Sequence, residues 1–281
     1  MRLCCGLIFC VEAVATALAQ EPSPPAKAIQ DNSFLVEEAY NQEEGVVQHI
    51  LTAQFSHGQG QREWDLLFTQ EWPLFSQLHQ ISYTIPYSFL SGEGDRRNGF
   101  GDVEFHYRYQ ALFETDRIPA FTPELTMIVP TGDANKGLGN DTVGWEVLLP
   151  FSKVLNDRWT VHANAGATLF PDVHSHDLYN YDLGGSAIYA ITRDLNLMLE
   201  CVANFDEDVT RHGGTERTSS VLLSPGFRYA WNFPAFHEAQ MVVGVAAPIG
   251  VTHDAPDWGL FFYFSFEHSF LRKEKKEIST K

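Results

Sequence analysis

Carboxylate side chains recur at alternate positions along several segments of this chain, where they are interleaved with apolar residues. Alternate residues of an extended strand share one face, so these acids would line one surface of a sheet. Two arginines and two histidines have the same parity. This face carries ten acidic residues and two arginines, so its electrostatic field would attract cations. Such a surface suits ion passage and not covalent catalysis. The candidates on this face are Glu63, Asp65, Glu71, Asp102, Glu104, His106, Arg108, Glu124, Glu146, His162, Asp182, Glu200, Arg228 and Glu267.

The sequence gives little indication of a catalytic site. A lipid hydrolase on a barrel needs a Ser–His pair on the outward face near one rim. His49 and His268 have outward parity, but they fall near the periplasmic rim, and no serine follows a histidine at the close spacing that such enzymes show. No catalytic residue is therefore expected.

Metal-binding patterns are also weak, and we expect no metal and no cofactor. His174 and His176 fall short of the roughly four ligands of a closed site, even with Asp177. The oxygen-bearing side chains of one loop could bind Ca²⁺, although Gly137 and Gly139 more simply mark turns there. Those side chains are Asp133, Asn135, Asn140 and Asp141. The basic run Arg272–Lys276 would meet phosphate groups or form a solvated tail.

The elements that position these residues are all strands, because apolar residues alternate with polar ones at period two and helical periodicity is absent. An even number of strands, most of them longer than is usual in soluble sheets, favours an antiparallel up-and-down transmembrane β-barrel. Six prolines within strands predict local bulges, since proline cannot donate to a ladder. Twelve strands are predicted near residues 45–57, 61–72, 77–90, 100–114, 120–130, 142–154, 158–170, 178–192, 194–206, 216–232, 238–251 and 257–270.

Connections of two kinds alternate along the chain, as in barrels with short periplasmic turns and longer outer loops. The predicted short turns are Pro73–Ser76, Thr115–Pro119, Leu155–Asp157, the neighbourhood of Arg193, and Pro234–His237. The predicted outer loops are Ser91–Gly99, Thr131–Asp141, Pro171–Asp177 and Glu207–Thr215, with the shorter His57–Gly60 and Thr252–Pro256.

All six tryptophans have the apolar parity and fall near strand ends. Indole prefers the headgroup region of a bilayer, so barrels carry an aromatic belt at each interface. Trp64, Trp145 and Trp258 would form the outer belt, and Trp72, Trp159 and Trp231 the periplasmic belt.

Composition excludes other classes of protein. The 281 residues carry 36 acidic and 19 basic side chains, a formal charge of −17, which argues against a nucleic-acid binder. A content of 44% hydrophobic residues excludes a disordered chain. Residues 1–19 resemble a secretory signal peptide ending at Ala17-Leu18-Ala19. The predicted divisions are this signal, a periplasmic leader (20–44), the barrel (45–270) and a basic tail (271–281).

A family resemblance rests on three short motifs. The stretch Ser33–Ile50, Gly101-Asp102 at the start of the fourth strand, and Pro130–Asp133 with Gly137–Gly139 resemble outer-membrane proteins of the meta-pathway of phenol degradation, often described as transporters. The resemblance implies an outer-membrane barrel that passes small, aromatic or hydrophobic solutes. Such barrels usually end on an aromatic residue that the assembly machinery reads, and Phe270 has that parity although eleven residues follow it.

The expected function is passive transport of small solutes through an acidic lumen in a bacterial outer membrane. The expected partners are membrane lipid, a small-molecule solute and the outer-membrane assembly machinery, with no nucleic acid. Two alternatives stay open. One is a structural or adhesive barrel whose polar interior is plugged, with Arg108 and Arg228 tying carboxylates together. The other is a lipid hydrolase.

Overall fold

The computed structural model describes residues 29, 31, 33–92, 94–210, 212–233, 236 and 239–270. The predicted signal peptide, the Pro-rich start of the leader, most of the turn Pro234–His237 and the basic tail lie outside these residues. Among the described residues, no helix has the length and apolar character to cross a membrane.

Strands dominate the described chain, accompanied by one short 3-10 turn, Ala134–Lys136. The strand segments are β1 (Val46–Gly58), β2 (Gln61–Leu74), β3 (Ser76–Gly92), β4 (Asp95–Phe100), β5 (Val103–Tyr109), β6 (Ala120–Phe121), β7 (Glu124–Val129), β8 (Gly144–Leu148), β9 (Phe151–Val154), β10 (Trp159–Val173), β11 (His176–Ala190), β12 (Leu195–Val209), β13 (Thr215–Phe233), β14 (Ala239–Ala246), β15 (Ile249–Gly250) and β16 (Trp258–Ser269).

These sixteen segments form twelve barrel strands, because four strands are interrupted and each contributes two segments in line: β4 with β5, β6 with β7, β8 with β9, and β14 with β15. Each barrel strand pairs antiparallel with its neighbours in sequence, and β16 pairs with β1 from Val46↔Ser269 to His57↔Trp258 to close the sheet. The predicted twelve-stranded up-and-down barrel is confirmed.

Three of the four interruptions contain a proline, as its missing N–H requires. Pro123, Pro150 and Pro248 lie in the gaps between β6 and β7, β8 and β9, and β14 and β15. The fourth gap is Gly101-Asp102, where the Gly101 N–H donates to the carbonyl of Pro86 on the neighbouring strand, at 3.0 Å. These three prolines therefore mark interruptions of the ladder.

The predicted alternation of loop lengths is only partly right. The end of the barrel that carries Val46 and Ser269, here the terminal end, has a turn of one residue (Phe75) and one of ten residues (110–119). At the opposite end, strands continue through much of Ser91–Gly99 and Pro171–Asp177, which leaves two-residue turns at 93–94 and 174–175. Backbone pairing of the extended strands replaces these loops, so residues 130–143 form the one connection longer than ten residues at this end of the described chain.

The two faces of the barrel differ as the alternation predicts. Large apolar side chains such as Leu51, Phe105, Leu199 and Phe264 are exposed on the outside. Tryptophans lie in two groups at the ends of the strands: Trp64, Trp145 and Trp258 at the opposite end, and Trp72, Trp159 and Trp231 at the terminal end. Cys201 is exposed among the outward-facing residues.

Candidate functional site

The barrel lumen contains part of the chain's own amino-terminal region, which we call the N-terminal segment (described residues 29, 31 and 33–44). Val36 and Ala39 are 2% and 0% exposed, respectively. This placement differs from the predicted periplasmic leader (20–44). The segment forms no strand or helix, so its backbone polar groups depend on inward-facing side chains of the barrel.

Glu200 on β12 binds three consecutive amides of this segment. Its Oε1 atom accepts from the N–H groups of Phe34, Leu35 and Val36 at 3.1, 3.1 and 3.2 Å. Glu200 is fully buried. A carboxylate that accepts several backbone N–H bonds is held strongly because the bonds are charge-assisted.

Arg228 on β13 and Asp31 form a second buried anchor. The Arg228 guanidinium donates to the carbonyl oxygen of Asp31 at 2.7 Å and to that of Ile29. The Asp31 carboxylate accepts from the hydroxyls of Tyr263 and Ser265 on β16, at 2.9 and 2.8 Å. The start of the segment is thus joined to two strands, β13 and β16, which flank β14 in the sheet.

The middle of the segment is held by hydroxyl and amide side chains. Ala39 donates its N–H to Ser152 Oγ at 2.7 Å, and Ser152 also bonds His162 Nδ1 at 2.7 Å. The Ala39 carbonyl accepts from Thr122 Oγ1 at 2.9 Å and from Gln110 Nε2 at 2.8 Å. His162, predicted to line the lumen, therefore acts through Ser152.

Arg108 on β5 links the segment to the acidic wall. It is 2% exposed and donates to the carbonyl oxygen of Glu38. Its guanidinium lies 3.5 Å from a carboxylate oxygen of Glu37 and 3.5 Å from one of Glu124. Glu71 on β2 accepts from Gln42 Nε2 at 3.3 Å. The interior arginines thus hold the segment in place.

Phe34 provides the apolar contact of the segment. Its ring lies 5.4 Å from that of Phe261 and 5.5 Å from that of Tyr263, centroid to centroid. A Cβ atom at Gly226 would lie 2.9 Å from the Phe34 ring, and one at Gly244 would overlap it. Two glycines of neighbouring strands therefore form the seat of this ring.

A cavity of about 310 Å³ remains between the segment and the wall formed by β1, β2, β3, β5, β7 and β16. One side carries charge, from Glu37, Glu71, Glu104, His106, Arg108 and Glu124. The other side is apolar, from Phe34, Leu35, Ile50, Leu67, Phe261 and Tyr263. Four carboxylates face one guanidinium, so the cavity has the acidic character expected from the sequence.

His106 lies at the centre of the charged side. Its Nδ1 is 2.9 Å from Glu124 Oε1, and its Nε2 is 3.1 Å from Thr84 Oγ1 and 3.6 Å from Glu104 Oε2. The strands β3, β5 and β7 bring these groups into adjacent cross-strand rows: Thr84 pairs with Glu104 in one, and His106 pairs with Thr126 in the next. Register therefore assembles this cluster.

Several of the remaining predicted lumen residues bind other parts of the barrel. Asp65 accepts from Ser88 Oγ at 2.5 Å, near Glu63 on the same strand. Asp102 is used structurally, because its carboxylate accepts from Gly132 N at 2.9 Å and Asn140 N at 3.1 Å. Barrel strands also carry the last three members of the predicted set, Glu146, Asp182 and Glu267.

The loop 130–143 folds onto inward-facing residues at the mouth of the barrel. Arg97 donates to the carbonyl of Lys136 at 2.9 Å, and Leu138 is buried. Asp133 lies outside the membrane-spanning strands; a hydrogen bond from Lys136 holds the pKa of its carboxyl below the usual value. Asp133 is thus engaged in the structure of the loop itself.

The metal-like histidines lie in a hairpin. His174 and Ser175 form its turn with φ of 49° and 71°, and His176 Nε2 is 3.1 Å from the carbonyl of Gly213. Among the described residues, no group of three His, Cys, Asp or Glu side chains could hold a metal ion.

A polar network lies on the outer face at the terminal end. His49 Nδ1 is 2.8 Å from Gln70 Nε2, and Gln70 Oε1 accepts from the hydroxyl of Tyr83 at 2.8 Å. The rings of His49 and His268 stack with centroids 5.6 Å apart. His268 Nδ1 lies 3.5 Å from the backbone carbonyl oxygen of Ser269, which is not a nucleophile.

The fold and this lumen define a bacterial outer-membrane β-barrel protein. Residues 46–266 match the family described as "Putative MetA-pathway of phenol degradation", well over half of the chain, so the protein belongs to this family. No curated protein sequence matches the chain significantly.

The chain is similar to several solved structures. An outer membrane channel from Pseudomonas putida F1 is 14% identical with a TM-score of 0.57, and the alignment covers 83% of this chain and 98% of that chain. The NanC porin is 9% identical (TM-score 0.45, 79% and 100% covered), and a KdgM porin in complex with disordered oligogalacturonate is 9% identical (TM-score 0.46, 80% and 99% covered).

Proposed function

We propose that the protein is a passive outer-membrane channel for small solutes, with a narrow, acid-lined lumen that favours cations. The observation that carries this proposal is the cavity of about 310 Å³ inside a closed barrel, with four carboxylates on one side. Wall charges at close quarters set the field that an entering ion meets. Family membership adds small aromatic or hydrophobic compounds as candidate solutes, and the apolar side formed by Phe34, Leu67 and Phe261 suits them.

The N-terminal segment forms the constriction of this channel. It joins strands on several sides of the lumen through Glu200, Arg228 and Arg108. A solute that enters from the opposite end reaches the cavity first and then meets the segment. Conduction therefore requires passage beside the segment or its displacement.

A second candidate function rests on the same segment. If it never moves and leaves no path, the barrel is a non-conducting structural or adhesive protein. Its many buried hydrogen bonds favour this alternative, because each buried polar group that loses its partner costs about 1–3 kcal/mol.

Planar-bilayer recording of the purified full-length mature protein separates the two functions. The channel predicts single-channel steps and, in a KCl gradient, a reversal potential of the sign that cation preference gives. Liposomes that contain the protein should also swell in small uncharged solutes. Absence of both conductance steps and swelling, with a heat-modifiable band that demonstrates a folded barrel, would establish the non-conducting alternative.

We further propose that the protein has no enzymatic activity. His49 has an orienting amide in Gln70, but a hydrolase also needs a nucleophile in contact with the imidazole. Release of fatty acid from phospholipid micelles, lost on His49→Ala, would contradict this proposal.

A further inference from the structure

Three basic side chains form one row on the outer face of the barrel, at the end opposite the termini. Register places His57 on β1 beside Arg62 on β2, Arg62 beside Ser91 on β3, and Ser91 beside Arg96 on β4. All four residues have the parity of the exposed apolar side chains. Both arginines are exposed. The row therefore faces the surroundings of the barrel and not its lumen.

An aromatic row lies directly below this basic row. Phe55 pairs with Trp64, and Trp64 pairs with Phe89, two residues further into each strand. The Phe55 ring lies 5.1 Å from that of Trp64 and 5.4 Å from that of Trp258. Two residues along a strand span about 7 Å, so cations and aromatics occupy successive depths of the membrane interface.

The two rows enclose a recess of about 430 Å³ on the outer surface. It is lined by Phe55, Trp64, Phe89 and Trp258, and by His57 and Arg62 at its upper edge. An apolar floor with a cationic rim suits an amphiphile that has acyl chains and an anionic head.

Within the described chain, the two arginines of this row lack the acidic partners that other arginines at this end of the barrel have. Arg97 forms an ion pair with Asp95 at 3.0 Å, and Arg217 forms one with Glu207 at 3.3 Å. No carboxylate of the described residues forms an ion pair with Arg62 or Arg96. In a chain with 36 acidic and 19 basic residues, two membrane-facing arginines that form no ion pair with a described carboxylate give this surface a local positive charge.

We propose that this patch binds a phosphorylated, multiply acylated glycolipid of the outer leaflet, with its phosphate on Arg62 and Arg96. Guanidinium groups bind phosphate through paired hydrogen bonds, and the two arginines lie two strand spacings apart, about 10 Å. Acyl chains pack against Trp64 and Phe89. The proposal rests on the outer-membrane location and on the termini facing the periplasm, and it is independent of whether the lumen conducts.

The test uses bisphosphorylated lipid A added to the detergent-purified mature protein, with binding measured by native mass spectrometry. We expect Arg62→Gln/Arg96→Gln to bind lipid A about ten-fold more weakly, since two charge-assisted contacts are lost. Arg217→Gln is the matched control, because Arg217 is a cation at the same end of the barrel with its own acidic partner. This control should bind as the wild type does.

Three results would overturn the proposal. They are unchanged lipid A affinity in the double variant, equal binding of dephosphorylated lipid A by the wild type, and equal competition by phosphatidylglycerol, which would show a surface for any anionic lipid. Heat-modifiable migration of each variant checks that the barrel has folded. Single-channel conductance should be the same in wild type and double variant, so a failure here leaves the channel proposal untouched.

Discussion

The hydroxyl oxygens of Ser33 and Ser186 lie 3.4 Å apart inside the barrel, although 153 positions separate the two residues in sequence. One belongs to the N-terminal segment and the other to β11. This proximity gives a direct way to ask whether the segment moves during conduction. Side chains this close fall within reach of a disulfide.

The double substitution Ser33→Cys/Ser186→Cys should therefore form a reducible disulfide that fixes the segment to β11. Cys201→Ser is added to remove the native exposed thiol. If conduction requires displacement of the segment, the oxidised variant should lose most of its conductance and regain it on reduction. The measurement is planar-bilayer recording before and after dithiothreitol. Equal conductance in both states would mean that ions pass beside the fixed segment. Ser33→Cys/Cys201→Ser is the control for the reductant alone.

Glu200→Gln should loosen the segment. The substitution replaces a carboxylate that accepts three backbone N–H groups with an amide, and loss of charge assistance costs about 2 kcal/mol. Hydrogen exchange of residues 33–39 should therefore accelerate. Glu146→Gln is the control, since no hydrogen bond joins Glu146 to the described part of the segment. Similar exchange in the two variants would contradict the anchoring role.

Gly244→Ala should displace Phe34 from its seat. The added Cβ would overlap the Phe34 ring, and overpacking of this kind costs about 1–3 kcal/mol. Gly185→Ala is the control, because nothing lies within 4 Å of its added Cβ. Intrinsic fluorescence does not isolate this site, so limited proteolysis of the segment is the better measurement. Faster cleavage only in Gly244→Ala is expected.

Glu104→Gln should reduce the preference for cations. A carboxylate about 6 Å from an ion in water attracts a cation and repels an anion by about 0.7 kcal/mol each, so its loss should lower the cation-to-anion permeability ratio about tenfold. Reversal potentials in a KCl gradient measure this ratio. Asp116→Asn, in the exposed turn at the terminal end, should leave it unchanged. A fall of equal size in Asp116→Asn would show that Glu104 does not act from the lumen.

Phe270→Ala should slow insertion by the assembly machinery. The Phe270 ring lies 5.7 Å from that of Trp72, and its N–H donates to the carbonyl of Gly45 at 2.8 Å, directly after the last strand. The amount of heat-modifiable protein in outer membranes should fall several-fold while total synthesis stays the same. Phe75→Ala, at a position 88% exposed, serves as the control.

Much of this architecture could be predicted from the sequence, because alternate residues of a strand face opposite sides of the barrel wall. Trp64 and Trp72 stand at opposite ends of one strand on its outer face, where alternation with Glu63, Asp65 and Glu71 placed them. The prolines at 123, 150 and 248 coincide with interruptions of the ladder. Local pattern suffices for such features because side-chain direction and proline chemistry are local.

The occupied lumen could not be predicted in this way. Around Phe261 and Tyr263 the last strand is aromatic on both faces, so alternation gives no sign that these two rings point inward and are buried. The N-terminal segment shows no strand or helix periodicity in its sequence. Its backbone N–H groups donate to Glu200, Ser152 and Gln110, which are distant in sequence. Inward-facing amide and hydroxyl side chains of the barrel did indicate that the lumen holds hydrogen-bonding groups. No local sequence pattern identified the N-terminal segment as their partner.

The register that joins β1 to β16 also dictates an order of events during folding. Asp31 is synthesised and exported early, yet its hydroxyl partners Tyr263 and Ser265 belong to the final strand, more than 230 positions away. Contacts between such distant parts of a chain form late, because the entropy of closing so long a loop has to be met first. The segment thus acquires its complete set of contacts only when the cylinder closes. Complete burial of the segment therefore indicates that β1 and β16 have paired.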